Sequence, residues 1–485
     1  MGLLRHLAGY APVHLTMLLV GFANVYAFTR LLGPADYGLY ALMLSLQMLI
    51  GTATLTWSEA AAFRFAGSAE AEGRMGAHIA RSVSLLAQSL GLTAIVVLAL
   101  MAAFWNHPRY LAVLPWLALF IPARSLVQLS LELHRAEGSV QRYVLVYTTL
   151  TIGGFIAGVL VAAFADPSAR APFIGTALAA VLVAIVQFLW LISRTSGHSK
   201  RDADRPGHYL RFGAPVAMAL LLDILLSAGD RFLLAVFEGE EAVGAYAAGY
   251  GLADKTVLML CAWAAMAAAP VLMKAWETDG PEAAQAEARG LIKVLMLVGV
   301  PAAAGVALVA EPLATVMVDE SLRDGAVATI PWIALAGLFN GLLVYYWTEA
   351  FQLTRKSLER ALLMLVPTLF NLAANLVLIP WLGLMGAVYA TVASYMLGNL
   401  VMALGGMRHF AMPLPLADLT RVLAATAVMA AVVWLLPDPG GLPELVLKAG
   451  LGILVYAGLA WWLDAGGVRG LVKASRHSSD SIPGT

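Results

Sequence analysis

Residues 30–41 read Arg30-Leu-Leu-Gly-Pro-Ala-Asp-Tyr-Gly-Leu-Tyr-Ala41, and they divide two apolar stretches of about 20 residues, the length at which a helix crosses a bilayer. Gly33-Pro34 predicts a turn between the stretches, and Tyr37 and Tyr40 suit a membrane interface. Outward from this segment the pattern repeats: apolar runs and short polar turns fill the chain from Ala11 to Leu463. About fourteen spans follow, at residues 11–30, 37–62, 79–104, 110–133, 143–164, 171–193, 212–236, 244–270, 290–309, 327–351, 358–379, 385–404, 418–436 and 445–463. The expected fold class is an all-α polytopic membrane protein.

Composition agrees with that reading. Hydrophobic residues make up 61% of the 485, charged residues only 12%, and mean hydropathy is +0.81, whereas soluble domains carry about 25% charged residues. The longest polar stretch runs from Arg194 to Arg211, so no separate soluble catalytic domain is expected and function must lie between helices. Cys261 is the single cysteine and lies in an apolar run, which leaves neither a disulfide nor a thiolate metal site. The first run lacks a small-x-small cleavage site and reads as a retained helix.

Basic residues set an orientation. With the N-terminus in the cytoplasm, Arg5 and the loops around Arg64–Arg81, Arg135–Arg142, Arg194–Arg211, Lys274–Lys293, Arg355–Arg360, Arg408–Arg421 and Arg469–Arg476 fall inside, against Arg30, Arg109, Arg170, Arg323 and Lys448 outside. The positive-inside rule favours this arrangement, and an even span count makes both termini cytoplasmic. The Ser-rich tail after Lys473 reads as disordered.

The opening segment has an echo. Gly38-x-Tyr40-Ala41 recurs as Gly244-x-Tyr246-Ala247 after Arg231, and the charged loops Arg64–Arg74 and Lys274–Arg289 follow at a similar offset. A duplication of six helices is inferred, a transporter architecture with the substrate path between the two halves. Residues 1–205 form the first lobe with its basic linker, 206–410 the second lobe, and 411–485 a terminal pair of helices. Gly197, Pro206 and Gly207 suit the linker.

The opening segment, taken with Asn371-x-x-x-Asn375-Leu-x-Leu-Ile-Pro380-x-x-Gly383-x-x-Gly386-Ala387, resembles the polysaccharide transporter family of lipid-linked oligosaccharide flippases, within the multidrug/oligosaccharidyl-lipid/polysaccharide (MOP) superfamily. The resemblance implies a MATE-like fold in a bacterial cytoplasmic membrane. It implies an undecaprenyl-(pyro)phosphate-linked glycan as substrate, moved by alternating access with no covalent bond made or broken and no cofactor. Membrane lipids and polysaccharide polymerase or assembly proteins are the implied partners, with no nucleic acid.

Ionisable groups at membrane depth cost at least ~2.5 kcal/mol each on insertion scales, so those present should face a cavity or a partner. Arg124, Gln128 and Glu132 form one stripe on the fourth helix, and Asp223, Ser227 and Asp230 another on the seventh. Tyr246, Tyr250 and Asp254 share a face of the eighth helix beside Lys255, and Thr52, Thr56 and Glu59 line the second. For a diphosphate head group the candidate donors are Arg124, Lys255, Arg231 and Arg30, arginine offering a bidentate fork. The alternative for Arg124 is a pairing with Asp223 or Asp254 that ties the lobes. Asp223, Asp254, Asp230, Glu132 and Glu59 are the coupling or gating candidates, with H⁺ or Na⁺ as the ion. Asn371 and Asn375 either bond between helices or line the cavity. Glu349 reads as an interfacial charge, and Pro380, Gly383 and Gly386 as the end of one helix and a close approach of the next. Gly153-Gly154 and Gly405-Gly406 read as packing points.

No histidine pair has metal-ligand spacing, and no Ser/His/Asp set or phosphate-cradling loop is present. Two competing functions stay open: a cation-coupled multidrug antiporter of the same superfamily, for which twelve helices are expected, and a membrane glycan polymerase or ligase. The latter calls for a large outer loop, whereas the longest here is around Glu311–Ala326.

Overall fold

A computed structural model describes residues 3–195 and 205–470. The central part of the linker and the tail after Lys473 lie outside the described residues. Among those described, the chain is all-helical, with 14 helices or joined helix pairs long and apolar enough to cross a membrane. In chain order these are α1 (Leu3–Leu31), α2 (Pro34–Thr54), α3 (Thr56–Ala71), α4 (Met75–Ala103), α5 (Pro108–Ala136), α6 (Val140–Phe164), α7 (Ala171–Thr195), α8 (Pro206–Ala228), α9 (Asp230–Phe237) and α10 (Glu240–Thr278). There follow α11 (Pro281–Leu308), α12 (Ala310–Met317), α13 (Glu320–Leu342), α14 (Glu349–Leu353), α15 (Ser357–Leu382), α16 (Leu384–Gly406), α17 (Leu416–Trp434) and α18 (Gly441–Leu463).

Each expected span coincides with one of these helices or pairs, and several differences carry physical content. The second span is broken, with α2 ending at Thr54 and α3 carrying on to Ala71. The Glu311–Ala326 stretch is no loop, since α12 and the start of α13 occupy it. Pro380 lies inside α15, two residues from its end, and of the expected helix-ending residues it is Gly383, at φ 56°, that makes the turn. That left-handed conformation is open to glycine without steric cost. Tyr37 and Tyr40 are held by protein: Tyr37 is buried, and Tyr40 packs against Phe28 and Phe173 at ring-centroid distances of 5.5 Å. Such tilted aromatic contacts add to area burial.

The chain separates into two compact units, residues 1–247 and 248–485. In the first, α6 crosses α7 so closely that a Cβ on Gly175 would overlap the backbone of Gly158, and Gly154 faces Thr176. Small residues of this kind let helix backbones meet in lipid. α8 packs on α3, where a Cβ on Gly213 would overlap the carbonyl of Trp57. His78 of α4 ties the same junction, its Nδ1 2.6 Å from the Tyr209 hydroxyl and its Nε2 2.9 Å from the Ala62 carbonyl oxygen. The two copies of the Gly-x-Tyr-Ala motif meet, since Gly38 lies against the backbone of Glu240 and Gly244. Arg109 completes that contact with ion pairs to Glu240 and, at 3.4 Å, to Asp36.

In the second unit α13, joined to α14 by a π-helical turn at Leu343–Trp347, is the most buried span. α15 and α16 form a hairpin around Gly383, and Gly405 and Gly406 let Leu363 and Ala350 approach. α17 and α18 form a terminal hairpin on α11 and α12. The outer faces of both units carry large exposed apolar side chains such as Ile95, Leu182, Leu369 and Ile453, which lipid covers in a membrane.

Candidate functional site

The break between α2 and α3 makes the site. At Leu55 the backbone leaves the helix (φ −120°, ψ −37°), and irregular backbone at membrane depth persists only where protein or water-filled space satisfies it. Local bonds do part of this. Trp57 donates through Nε1 to the Thr54 carbonyl at 3.1 Å, Ser58 Oγ to the Leu55 carbonyl at 2.8 Å, and the Thr54 and Thr93 hydroxyls lie 2.8 Å apart.

A cavity of about 360 Å³ opens beside the break. Its polar lining is Gln47, Thr52, Thr56, Glu59, Arg124 and Ser125, set among Leu44, Met48, Phe120 and Ile121. α2, α3 and α5 supply these side chains, and α8 closes one wall with Ile224. Among the described residues of the first unit Arg124 makes no ion pair, and Glu59 lies within the electrostatic reach of both Arg124 and Glu132. The cavity thus joins one fixed cation, one carboxylate, one amide and three hydroxyls. A guanidinium suits phosphate oxygens, and the hydroxyls and amide suit a polyol that has left bulk water.

The other candidates fall in different surroundings. Lower on the α5 stripe, Gln128 donates to Glu132 at 2.9 Å, and Glu132 pairs with Arg135 at 2.8 Å. Arg231 donates to Ser45 Oγ at 2.9 Å. Asp230 is fully buried and accepts the Tyr246 hydroxyl. Asp223 is half-buried on α8. Arg30 is exposed, 4.0 Å from the Tyr26 ring centroid, and donates to the Tyr26 carbonyl.

In the second unit Asp254 is buried beside Gly337 and Lys255 is exposed. Asn371 and Asn375 are buried between α15 and α16. Asn371 donates to Ser394 Oγ at 3.2 Å, and Asn375 to the Asn371 carbonyl and side-chain oxygens at 2.8 and 3.0 Å. Glu349 is buried too, where an interfacial charge was expected, and accepts from Gln352 at 3.2 Å.

Gln47 and Ser125 are cavity residues that the sequence reading passed over. Gln47 carried a usable signal, an amide on an otherwise apolar helix a turn before Thr52. Ser125 carried none, because a lone serine beside Arg124 commonly bonds its own helix. Among the described residues no cluster of His, Cys, Asp or Glu has the makings of a metal site.

No curated protein matches the sequence. Three solved structures are similar along most of their length. A lipid II flippase MurJ in an inward closed conformation has a TM-score of 0.73 at 13% identity, with 97% of this chain and 100% of that one covered. An inward-facing multidrug resistance MATE family transporter of the MOP superfamily has a TM-score of 0.64 at 14% identity, covering 81% and 94%. An outward-facing one has 0.58 at 17%, covering 82% and 93%. At these identities the likeness is one of fold. The family described as "Polysaccharide biosynthesis protein" matches residues 27–327. With that match over well over half its length and fourteen candidate spans in the MOP arrangement, the chain belongs to the polysaccharide biosynthesis protein family and carries the MOP transporter fold.

Proposed function

We propose that this protein is a flippase that carries a polyprenyl-(pyro)phosphate-linked oligosaccharide across a bacterial cytoplasmic membrane by alternating access, without covalent chemistry. The observation that carries the reading is the Arg124 cavity, a polar-lined space inside an apolar bundle whose cation makes no ion pair among the described residues of its unit. Arg124 takes the phosphate, and Gln47, Thr52, Thr56 and Ser125 exchange hydrogen bonds with sugar hydroxyls. Glu59 is the counter-charge that holds Arg124 between passages and is the first candidate for proton coupling. Residues 1–205 and 206–410 act as the two lobes, with both termini cytoplasmic. The terminal helices guide the prenyl chain along an apolar groove of about 440 Å³ lined by Pro301, Val306, Met429, Val433, Ile453 and Tyr456. Polymerase and assembly proteins would receive the product.

Complementation tests this. In a bacterial host lacking its own oligosaccharide flippase, the wild type should restore surface glycan, and Arg124→Ala should not at matched membrane levels. Rescue by both would remove Arg124 from the mechanism, and failure of the wild type in several glycan backgrounds would count against flipping. A second reading, a cation-coupled exporter of small molecules, draws on Glu59 in the same cavity. It is favoured if export of cationic dyes, and no glycan transfer, depends on that carboxylate.

A further inference from the structure

A second space lies in the other unit, at the junction of α11, α13 and α17. It is a slot of about 230 Å³ walled by Ile292, Met296, Phe339, Leu342, Leu419 and Val422. At its mouth Lys293 bonds to Asp418 at 2.8 Å, and Arg421 reaches the same carboxylate at 3.6 Å. Two cations therefore share one anion, which leaves the mouth with a single net positive charge beside an apolar slot. Trp347 also lines it, a residue type that settles at the level of lipid head groups.

The depth is right for a lipid. α17 has 19 residues, close to the minimum that covers a hydrocarbon core of about 30 Å, so Asp418 in its first turn lies at the membrane boundary. α11 and α17 are the ninth and thirteenth spans and enter the membrane from the same side, which brings Lys293 to that boundary on its flexible stem. The first-turn amides of α17 add a partial positive charge at the same point.

We infer that this slot binds an anionic membrane phospholipid, with part of one acyl chain between α11 and α17 and the phosphodiester shared by Lys293 and Arg421. Charge selects the occupant. A phosphodiester with a neutral head group carries one negative charge and matches the mouth, whereas a polyprenyl diphosphate carries more than the mouth can neutralise. A zwitterionic lipid brings a cation that Lys293 and Arg421 repel. The bound lipid would brace the terminal hairpin against α11, with Asp418 holding the two cations apart when the slot is empty.

Native mass spectrometry of the full chain, offered phosphatidylglycerol and phosphatidylcholine of identical acyl chains, tests the assignment. Phosphatidylglycerol should be retained in preference. Arg421→Gln and Lys293→Gln should each lower that retention about fivefold, as expected for about 1 kcal/mol per basic residue at a membrane surface. Val422→Trp should lower it by filling the slot with the charges untouched. Asp418→Asn should raise it by releasing both cations, a direction that damage to the fold would not produce. Equal retention of the two lipids, or a loss on Asp418→Asn, would overturn the proposal. Displacement of phosphatidylglycerol by an equimolar amount of undecaprenyl phosphate in a Lys293-dependent manner would overturn it too, by giving the slot to the carrier lipid.

Discussion

Two polar stripes in this molecule look alike on paper and behave differently in three dimensions. Arg124 and Gln128 on α5, and Asn371 and Asn375 on α15, each stand four residues apart on an apolar helix. The asparagines meet α16 and their own helix, with bonds of 2.8 to 3.2 Å and almost no exposure. Arg124 meets a cavity. Spacing finds a polar face, but the partner decides whether that face is glue or a surface held open for something else. The amide ladder finds its partners within α15 and α16, with only the Asn375 side-chain oxygen left without a donor, whereas the cavity cation has Glu59 as a distant counter-charge and room for an anionic ligand.

The sharpest way to break this comparison is to put a charge into the ladder. Asn375→Asp places a carboxyl where nothing can neutralise it, at a cost of about 3 kcal/mol, and the protein should fail to accumulate in membranes by quantitative immunoblot. Normal accumulation would mean that the site is wetter than its zero exposure indicates. Next comes Arg124→Ala, which should cost about 2 kcal/mol in substrate binding, the worth of a charged hydrogen bond. Glycan transfer in proteoliposomes should fall about thirtyfold while the thermal unfolding temperature in detergent holds steady or rises. A fall in both would make Arg124 structural.

Asn371→Ala should do the reverse. Removing it leaves Ser394 and Asn375 short of partners, and membrane double-mutant cycles put such interhelical bonds near ~0.6 to 2 kcal/mol. A lower unfolding temperature with unchanged transfer per folded molecule is expected, and lost transfer at full stability would move the asparagines into the site. The smallest effect belongs to Gln128→Ala. Glu132 keeps Arg135 as its partner, so less than about 0.5 kcal/mol of stability should be lost and transfer should stay within about twofold. A larger drop in transfer would extend the cavity down the stripe.

Hydropathy alone located the spans, because lipid accepts apolar length and little else. The small residue of the opening motif was legible for a related reason, since Gly38 has to be small where it meets the backbone of Glu240 and Gly244. The break at Leu55 was not legible. Leucine is a good helix former, no Gly or Pro marks the spot, and the irregular geometry is held by Thr54, Ser58, Trp57 and the distant Thr93. The aromatic cluster around Tyr40 and the burial of Tyr37 were not legible either, since an interface and a protein core accept tyrosine equally well. The same holds for Glu349, whose burial depends on neighbours no local pattern reveals. Of the site itself, Arg124, Thr52, Thr56 and Glu59 could be read from the sequence because polar groups are costly in an apolar run. Which of them would share one space could not, since that depends on how α2, α3 and α5 are set against each other.

The crossing of α6 and α7 at Gly158 and Gly175 bears on how many parts this machine has. Where two backbones touch with no side chain between them, there is no layer of rotamers to slide or roll. The two helices then form a single plank, and any displacement of one is passed to the other without play. The first unit accordingly has fewer independently moving pieces than it has helices, and the break at Leu55 is the place to seek the compliance that the proposed transport would need.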